Sequence, residues 1–212
     1  MAAEDPTGWF EHIYAAARAG EAVVPWDREA PHPLLVEWGE ANRPEGRGRR
    51  LLVVGCGLGA DAEYFAGFGF DTVAFDVSPT AVETARRRFP GSTVGYVVAD
   101  LLDPPEEWRS AFDLVVESLT VQSLPDPQRA DAIASVGPMV APGGTLLVVA
   151  TAREERLGPV QGPPWPLTRR ELDAFAGGDL EPVRVEDIRA EGVPPRWRAE
   201  FRRPLAPLTP LR

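Results

Sequence analysis

The sequence predicts an α/β domain built on a doubly wound, mostly parallel sheet with helices on both faces. From Arg50 onward, short apolar runs alternate with amphipathic helical segments, the pattern of strands buried on both sides and joined by helical crossovers. The first run, Leu51 to Val54, empties into a glycine-rich turn, Gly55 to Gly59, and then into a helix. After Ala150 the alternation stops. Two apolar segments then follow with no good helix between them, which predicts an antiparallel hairpin at the sheet edge.

The elements follow in order. Residues 1–49 form an N-terminal extension in which Trp9, Phe10, Ile13, Tyr14 and Ala17 recur at helical spacing after Thr7, a candidate cap. A helix from Trp9 to Arg18 is expected there. A second runs from Pro33 to Glu40, with Leu34, Leu35 and Trp38 inward, and the polar link Asn42 to Arg50 closes the extension. The core, residues 50–150, opens with the strand Leu51 to Val54 and the helix Ala60 to Gly67. Asp71 to Phe75 is the second strand, and Ser78 with Pro79 caps the next helix. Val94 to Val98 and Phe112 to Glu117 are the third and fourth strands; Asp126 and Pro127 repeat the cap-then-proline signal. Gly143 and Gly144 turn the chain into the fifth strand, Thr145 to Ala150. In the C-terminal part, residues 151–212, several prolines and glycines fill 155–166. Thr168 and Glu171 match a capping box. Val183 to Ile188 and Trp197 to Phe201 form the hairpin.

A chain of 212 residues is long enough to bury a core without disulfides or metals, and a single domain is expected. The net charge is −10 and all 22 basic residues are arginines, so the overall field repels a phosphate backbone and no nucleic-acid partner is expected. The clusters Arg86 to Arg88 and Arg202 to Arg203 lack interleaved aromatics and are expected to be a solvated helix face and a strand end. Cys56 is the only cysteine, and with two histidines it makes a metal site improbable on composition. The N-terminus has no targeting pattern and no stretch reaches bilayer length. The expectation is therefore a cytoplasmic protein with no membrane partner, its oligomeric state open and a monomer compatible.

Chemistry concentrates at Val53-Val54-Gly55-Cys56-Gly57-Leu58-Gly59-Ala60. Glycine is needed there because the backbone turns with positive φ and because a ligand approaches main-chain atoms that a side chain would cover. Asp76, twenty-one residues after Gly55, ends the second strand, where a carboxylate can accept from both hydroxyls of a ribose. At this point an adenosyl ligand, a nicotinamide dinucleotide and a flavin all fit. Asp100 narrows the choice, since at the end of the third strand it can accept from an adenine amino group while Leu101 offers its backbone amide. One α/β domain is expected to use up these 212 residues, with no separate domain expected to carry a dehydrogenase substrate.

With GCGLG, FDVS, VAD, FDLVVES and PGGTLLVVA in register, the sequence resembles the class I S-adenosylmethionine-dependent methyltransferases from about Trp9 to Phe201. The resemblance implies a Rossmann-like seven-stranded sheet with an antiparallel last strand, S-adenosylmethionine as cofactor, and a small-molecule acceptor. It implies that Gly55, Gly57 and Gly59 line the methionine part through their backbones, and that Asp76 holds the ribose. Val77 would cover the adenine, Asp100 and Leu101 would meet its edge, and Glu117 and Ser118 would lie near the sulfonium and its amino acid group. Cys56 is expected to fill the turn as a small apolar residue.

A shorter stretch, Val24-Pro25-Trp26-Asp27-Arg28-Glu29-Ala30-Pro31 followed by Pro33 and Leu34, resembles the thiopurine S-methyltransferase-like group of small-molecule enzymes. There the N-terminal helix and loop close over the cofactor, and aromatics equivalent to Trp9 and Trp26 touch it. Tyr14 joins them as a candidate, because aromatic faces attract a sulfonium by roughly 0.5–2 kcal/mol; packing of the helix on the sheet is the competing explanation. The segment Glu117-Ser118-Leu119-Thr120 departs from better-known members of that group. The expected reaction is in-line methyl transfer, first to a thiol and alternatively to oxygen or nitrogen. No catalytic residue is assigned; Tyr14, Asp27 and Glu117 are the candidate bases. A dinucleotide-dependent oxidoreductase and a non-enzymatic adenosyl-ligand sensor are the rivals.

Overall fold

The computed structural model describes residues 7–157, 162–177 and 179–205; the stretch 155–166 anticipated from its prolines and glycines therefore lies partly outside the described residues. Seven strands make one sheet in the order β3-β2-β1-β4-β5-β7-β6. They are β1 (Arg50–Val54), β2 (Asp71–Asp76), β3 (Gly95–Val98), β4 (Phe112–Ser118), β5 (Val140–Thr151), β6 (Glu181–Ala190) and β7 (Val193–Arg202). Neighbours from β3 through β5 are parallel. β7 runs antiparallel to β5 and to β6, so the expected hairpin is present at the sheet edge. The fifth strand begins earlier than its glycines suggested, because Val140 already pairs with Phe112 ahead of a register shift.

The alternation along β1 shows why this sheet is buried on both sides. Leu52 and Val54 enter one apolar cluster and Leu51 and Val53 the other, each at most 1% exposed. Burying one such side chain contributes about 1.5–3 kcal/mol. Helices α2 (Pro33–Asn42), α3 (Ala60–Ala66) and α4 (Pro79–Arg88) cover the second face through Leu35, Phe65 and Val82. Helices α5 (Gln128–Val136) and α6 (Arg169–Asp173) cover the first through Ile133 and Leu172. The capping box at Thr168 and Glu171 is formed with both of its hydrogen bonds. Among the described residues no helix is long and apolar enough to cross a membrane.

Two expected caps are corrected. Thr7 precedes α1 (Gly8–Arg18) but sits near helical dihedrals and makes no side-chain cap; its carbonyl instead accepts from the Phe10 amide. Asp126 does not cap α5 either, because Pro127 occupies that position and the Asp126 carboxylate turns to Arg129 at 2.6 Å. In the N-terminal extension, Tyr14 and Val24 pack on Ala81 of α4. Glu11 reaches the start of that helix, accepting from Ser78 Oγ at 2.5 Å and from the Thr80 amide at 3.1 Å, where the helix dipole favours an anion. Burial opposes its ionisation, but the hydrogen bonds from Ser78 and Thr80 leave its pKa below the ordinary value. The extension is thus tied to the core next to the crevice described below.

Candidate functional site

The winding reverses at β1, with β2 and β3 on one side and β4 and β5 on the other. At such a point the connections diverge from the carboxyl ends of the strands and leave a crevice. A cavity of about 520 Å³ occupies it, within the range of small-ligand pockets. Its floor is the turn after β1, where Gly55, Gly57 and Gly59 have φ of +59°, +51° and +92°. A Cβ at Gly57 would come within 3.0 Å of the Tyr14 hydroxyl, and at Gly55 and Gly59 it would collide with Thr120 and with the Tyr96 hydroxyl. The turn therefore excludes side chains on both conformational and steric grounds.

Asp76 ends β2 with 7% of its surface exposed. Its carboxylate accepts from the Gly57 amide at 2.9 Å and the Ser78 amide at 3.0 Å. Burial pushes its pKa up against those hydrogen bonds. A carboxylate has about four lone-pair sites; with the Val77 amide as a further donor, acceptor capacity still remains for a hydroxyl of a ligand. Val77, Asp100, Leu101 and Ser118 stand on the same wall. Asp100 gives one oxygen to the Leu102 amide at 2.8 Å, and its second oxygen has capacity for a donor.

Glu117 is the one proposed site residue that is not on the cavity wall. It lies in the central strand β4 and is fully buried. The chain doubles back at Leu119, φ +62°, so the amides of Thr120 and Val121 donate to Glu117 Oε1 at 2.8 and 3.0 Å. Oε2 is buried without a partner, and burial pushes the carboxyl up to about 7. Glu117 shapes the loop after β4 from beneath.

Trp9, Tyr14 and Trp26 do line the cavity, joined by Phe10. Trp26 Nε1 donates to the Tyr14 hydroxyl at 2.7 Å, and Trp26 meets Trp9 and Tyr14 edge-on at 5.8 and 5.9 Å between centroids. The aromatics therefore both fasten the extension and face the cavity. Burial, with the charge of Asp76, holds the Tyr14 hydroxyl far above its usual pKa, so it is a poor base. Asp27 is held by Arg88 and by the Glu29 amide at 3.1 Å each. Cys56 is buried and its thiol is pushed up by that burial, in keeping with a filler of the turn.

Several wall residues escaped sequence reasoning: Arg28, His32, Asp61, Gln122, Thr151 and Arg196. Asp61 accepts from the His32 amide at 2.7 Å and from the Ser118 hydroxyl. Its place one residue into the helix after the glycine turn was a usable signal. Nothing local in the sequence marked Arg196, which arrives from the far end of the chain by pairing with Thr151 across β5 and β7.

The family model for a methyltransferase domain matches residues 51–144, the span from β1 to the start of β5. A ubiquinone biosynthesis O-methyltransferase of Thiobacillus denitrificans is 32% identical over 115 residues, 53% of this chain and 48% of that protein. A probable thiol methyltransferase 2 of Arabidopsis thaliana is 28% identical over 178 residues, 82% of this chain and 73% of that protein. The chain spans about half the length of the first curated relatives it matches. Among solved structures, N-methyltransferase NodS from Bradyrhizobium japonicum WM9 in complex with S-adenosyl-L-homocysteine superposes with a TM-score of 0.68. It is 22% identical, with 92% of this chain and 99% of that one covered, and the likeness is one of fold.

Proposed function

We propose that this chain, whose residues 51–144 match the methyltransferase domain, is an S-adenosylmethionine-dependent methyltransferase that acts as one domain on a small organic thiol. The observation that carries the cofactor is the glycine floor closed by Asp76 and Asp100 at the β1–β4 reversal. Gly55, Gly57 and Gly59 would bear the methionine part, Asp76 the ribose, and Val77, Asp100 and Leu101 the adenine. When bound, S-adenosylmethionine supplies a methyl group activated by its sulfonium. The residues of the chain orient and dehydrate the site: the aromatic extension covers it, as a lid does, and the reacting atoms need to be held about 3–3.5 Å apart.

The choice of sulfur is supported by what the wall lacks. Each wall carboxylate already accepts a hydrogen bond: Asp27, Asp61, Asp76 and Asp100. Asp76 and Asp100 are assigned to the cofactor, Asp27 is paired with Arg88, and Asp61 is held by the His32 amide and the Ser118 hydroxyl. A thiol, with a pKa of about 8.5, is partly ionised at neutral pH and needs little help, and nearby guanidinium groups favour its anion further. The relationship to the Arabidopsis thiol methyltransferase points the same way, whereas the Thiobacillus relative favours a second reading, O-methylation. The test compares thiophenol, phenol and aniline by formation of S-adenosylhomocysteine. Thiophenol is expected to lead by at least about ten-fold, the effect of some 1.4 kcal/mol in the barrier; preference for phenol or aniline would overturn the sulfur assignment.

A further inference from the structure

At the end of the cavity formed by β5, β7 and the loop before α2, the wall presents hydrogen-bond donors in excess. Arg28 and Arg196 both line it, and neither forms an ion pair among the described residues. They are close enough that Arg28 lowers the pKa of Arg196, after burial as the first cause. Arg196 Nη1 donates to Thr151 Oγ1 at 3.0 Å, and Gln122 Nε2 donates to the same oxygen at 3.2 Å. With both lone pairs taken, the Thr151 hydroxyl has only its proton left to offer.

His32 adds another donor. Its Nδ1 accepts from the Leu34 amide at 3.2 Å, which in a neutral ring places the proton on Nε2. Burial, reinforced by Arg28 and Arg196, holds this ring at about 4, so it is neutral at neutral pH. Nε2 is buried and has no partner, a costly state unless a ligand supplies an acceptor. Asp61, on the same wall, accepts from the His32 amide at 2.7 Å and from the Ser118 hydroxyl; burial raises its pKa and the charge of Arg28 lowers it. A single carboxylate cannot neutralise both guanidinium groups.

Resting on the methyl-transfer reading above, we propose that Arg28, His32, Thr151 and Arg196 form a carboxylate-binding subsite for the methyl acceptor, so that the substrate is a small thiol that also carries a carboxylate. Two guanidinium groups, a hydroxyl proton and an imidazole N–H suit a planar anion, which accepts several such bonds at once.

The experiment has three arms. In the first, 2-, 3- and 4-mercaptobenzoate are compared with thiophenol. The best mercaptobenzoate is expected to exceed thiophenol at least about ten-fold in kcat/KM, and Arg196→Met and Arg28→Met should collapse that ratio towards one, with Arg196→Lys retaining part of it. A wild-type preference for thiophenol overturns the proposal. In the second, S-adenosylhomocysteine and 5′-methylthioadenosine, which lacks the amino acid carboxylate, are titrated by calorimetry. Affinities of both within about two-fold of wild type in the variants support the acceptor role. Loss confined to S-adenosylhomocysteine assigns the donors to the cofactor's own carboxylate and overturns it. In the third, benzoate is titrated into the protein saturated with S-adenosylhomocysteine, with benzyl alcohol as the uncharged control. This arm decides even if no thiol is methylated: binding of benzoate that both variants lose supports the subsite, and no binding to the wild type refutes it. Should Arg196→Met fail to fold, Arg28→Met on an exposed loop carries the same test.

Discussion

Replacing Asp76 by alanine separates a ligand contact from a structural brace. In the structure Asp76 braces the turn, its oxygens accepting from the buried amides of Gly57 and Ser78, and the proposed function adds a ribose at its remaining acceptor capacity. Leaving two amides without acceptors costs about 1–3 kcal/mol each when they are fully dry. Here the carboxylate borders a cavity that water can enter, so a loss near 2 kcal/mol in total is expected. For a chain of this length that is a fall of about 4–8 °C in Tm, which leaves the protein folded at 25 °C. The ribose contacts are charge-assisted, worth about 1.5–3 kcal/mol, so the affinity for S-adenosylhomocysteine should drop by roughly ten- to 150-fold. Asp76→Asn keeps one acceptor oxygen and should lose less stability. Calorimetry on the folded variants with thermal melts beside it reads both effects. Unchanged affinity together with the fall in Tm would show that Asp76 only braces the turn and would refute the ribose assignment.

Glu117 gives a prediction in pH. Its folded-state carboxyl stands at about 7 against an ordinary 4.5. Between those values the folded chain holds a proton that the unfolded chain has lost, so stability falls as pH rises, by roughly 3 kcal/mol over the window. Glu117→Gln, which resembles the protonated form, should flatten the dependence of Tm between pH 5 and 7 and melt higher than wild type at pH 8; a slope as steep as wild type would remove Glu117 as its source. A residual slope is expected from Asp61 and Asp76, whose carboxyls burial also pushes up. Methyl transfer is expected to survive chelation, because among the described residues no group of three or more His, Cys, Asp or Glu is placed to hold a metal. Abolition by a chelator with recovery on adding magnesium would contradict that.

What the sequence made legible was local or repetitive. The glycine turn follows β1, Asp76 ends β2 and Asp100 lies just past β3, where the fold opens its crevice, and the apolar runs of β1 and β4 are continuous because both faces of those strands are buried. The caps at Ser78 and Thr168 were legible because the motif and the geometry coincide. Thr7 and Asp126 carried the same signal without the geometry, one being helical itself and the other displaced by Pro127. The burial of Glu117 was not legible for a tertiary reason: an acid at the end of a strand looks available, but the reversal at Leu119 brings the amides of Thr120 and Val121 onto it. Arg28, Thr151 and Arg196 could not be grouped beforehand, since only the antiparallel pairing of β7 with β5 and the return of the N-terminal loop over the sheet bring them together.

Whether the crevice takes an adenosyl ligand and not a dinucleotide is tested most directly by titration of the full chain with S-adenosylhomocysteine and, separately, with a nicotinamide dinucleotide. The account predicts saturable one-to-one binding of S-adenosylhomocysteine, weakened by Asp76→Ala, and no binding of the dinucleotide. Saturable binding of the dinucleotide, with none of S-adenosylhomocysteine, would contradict it.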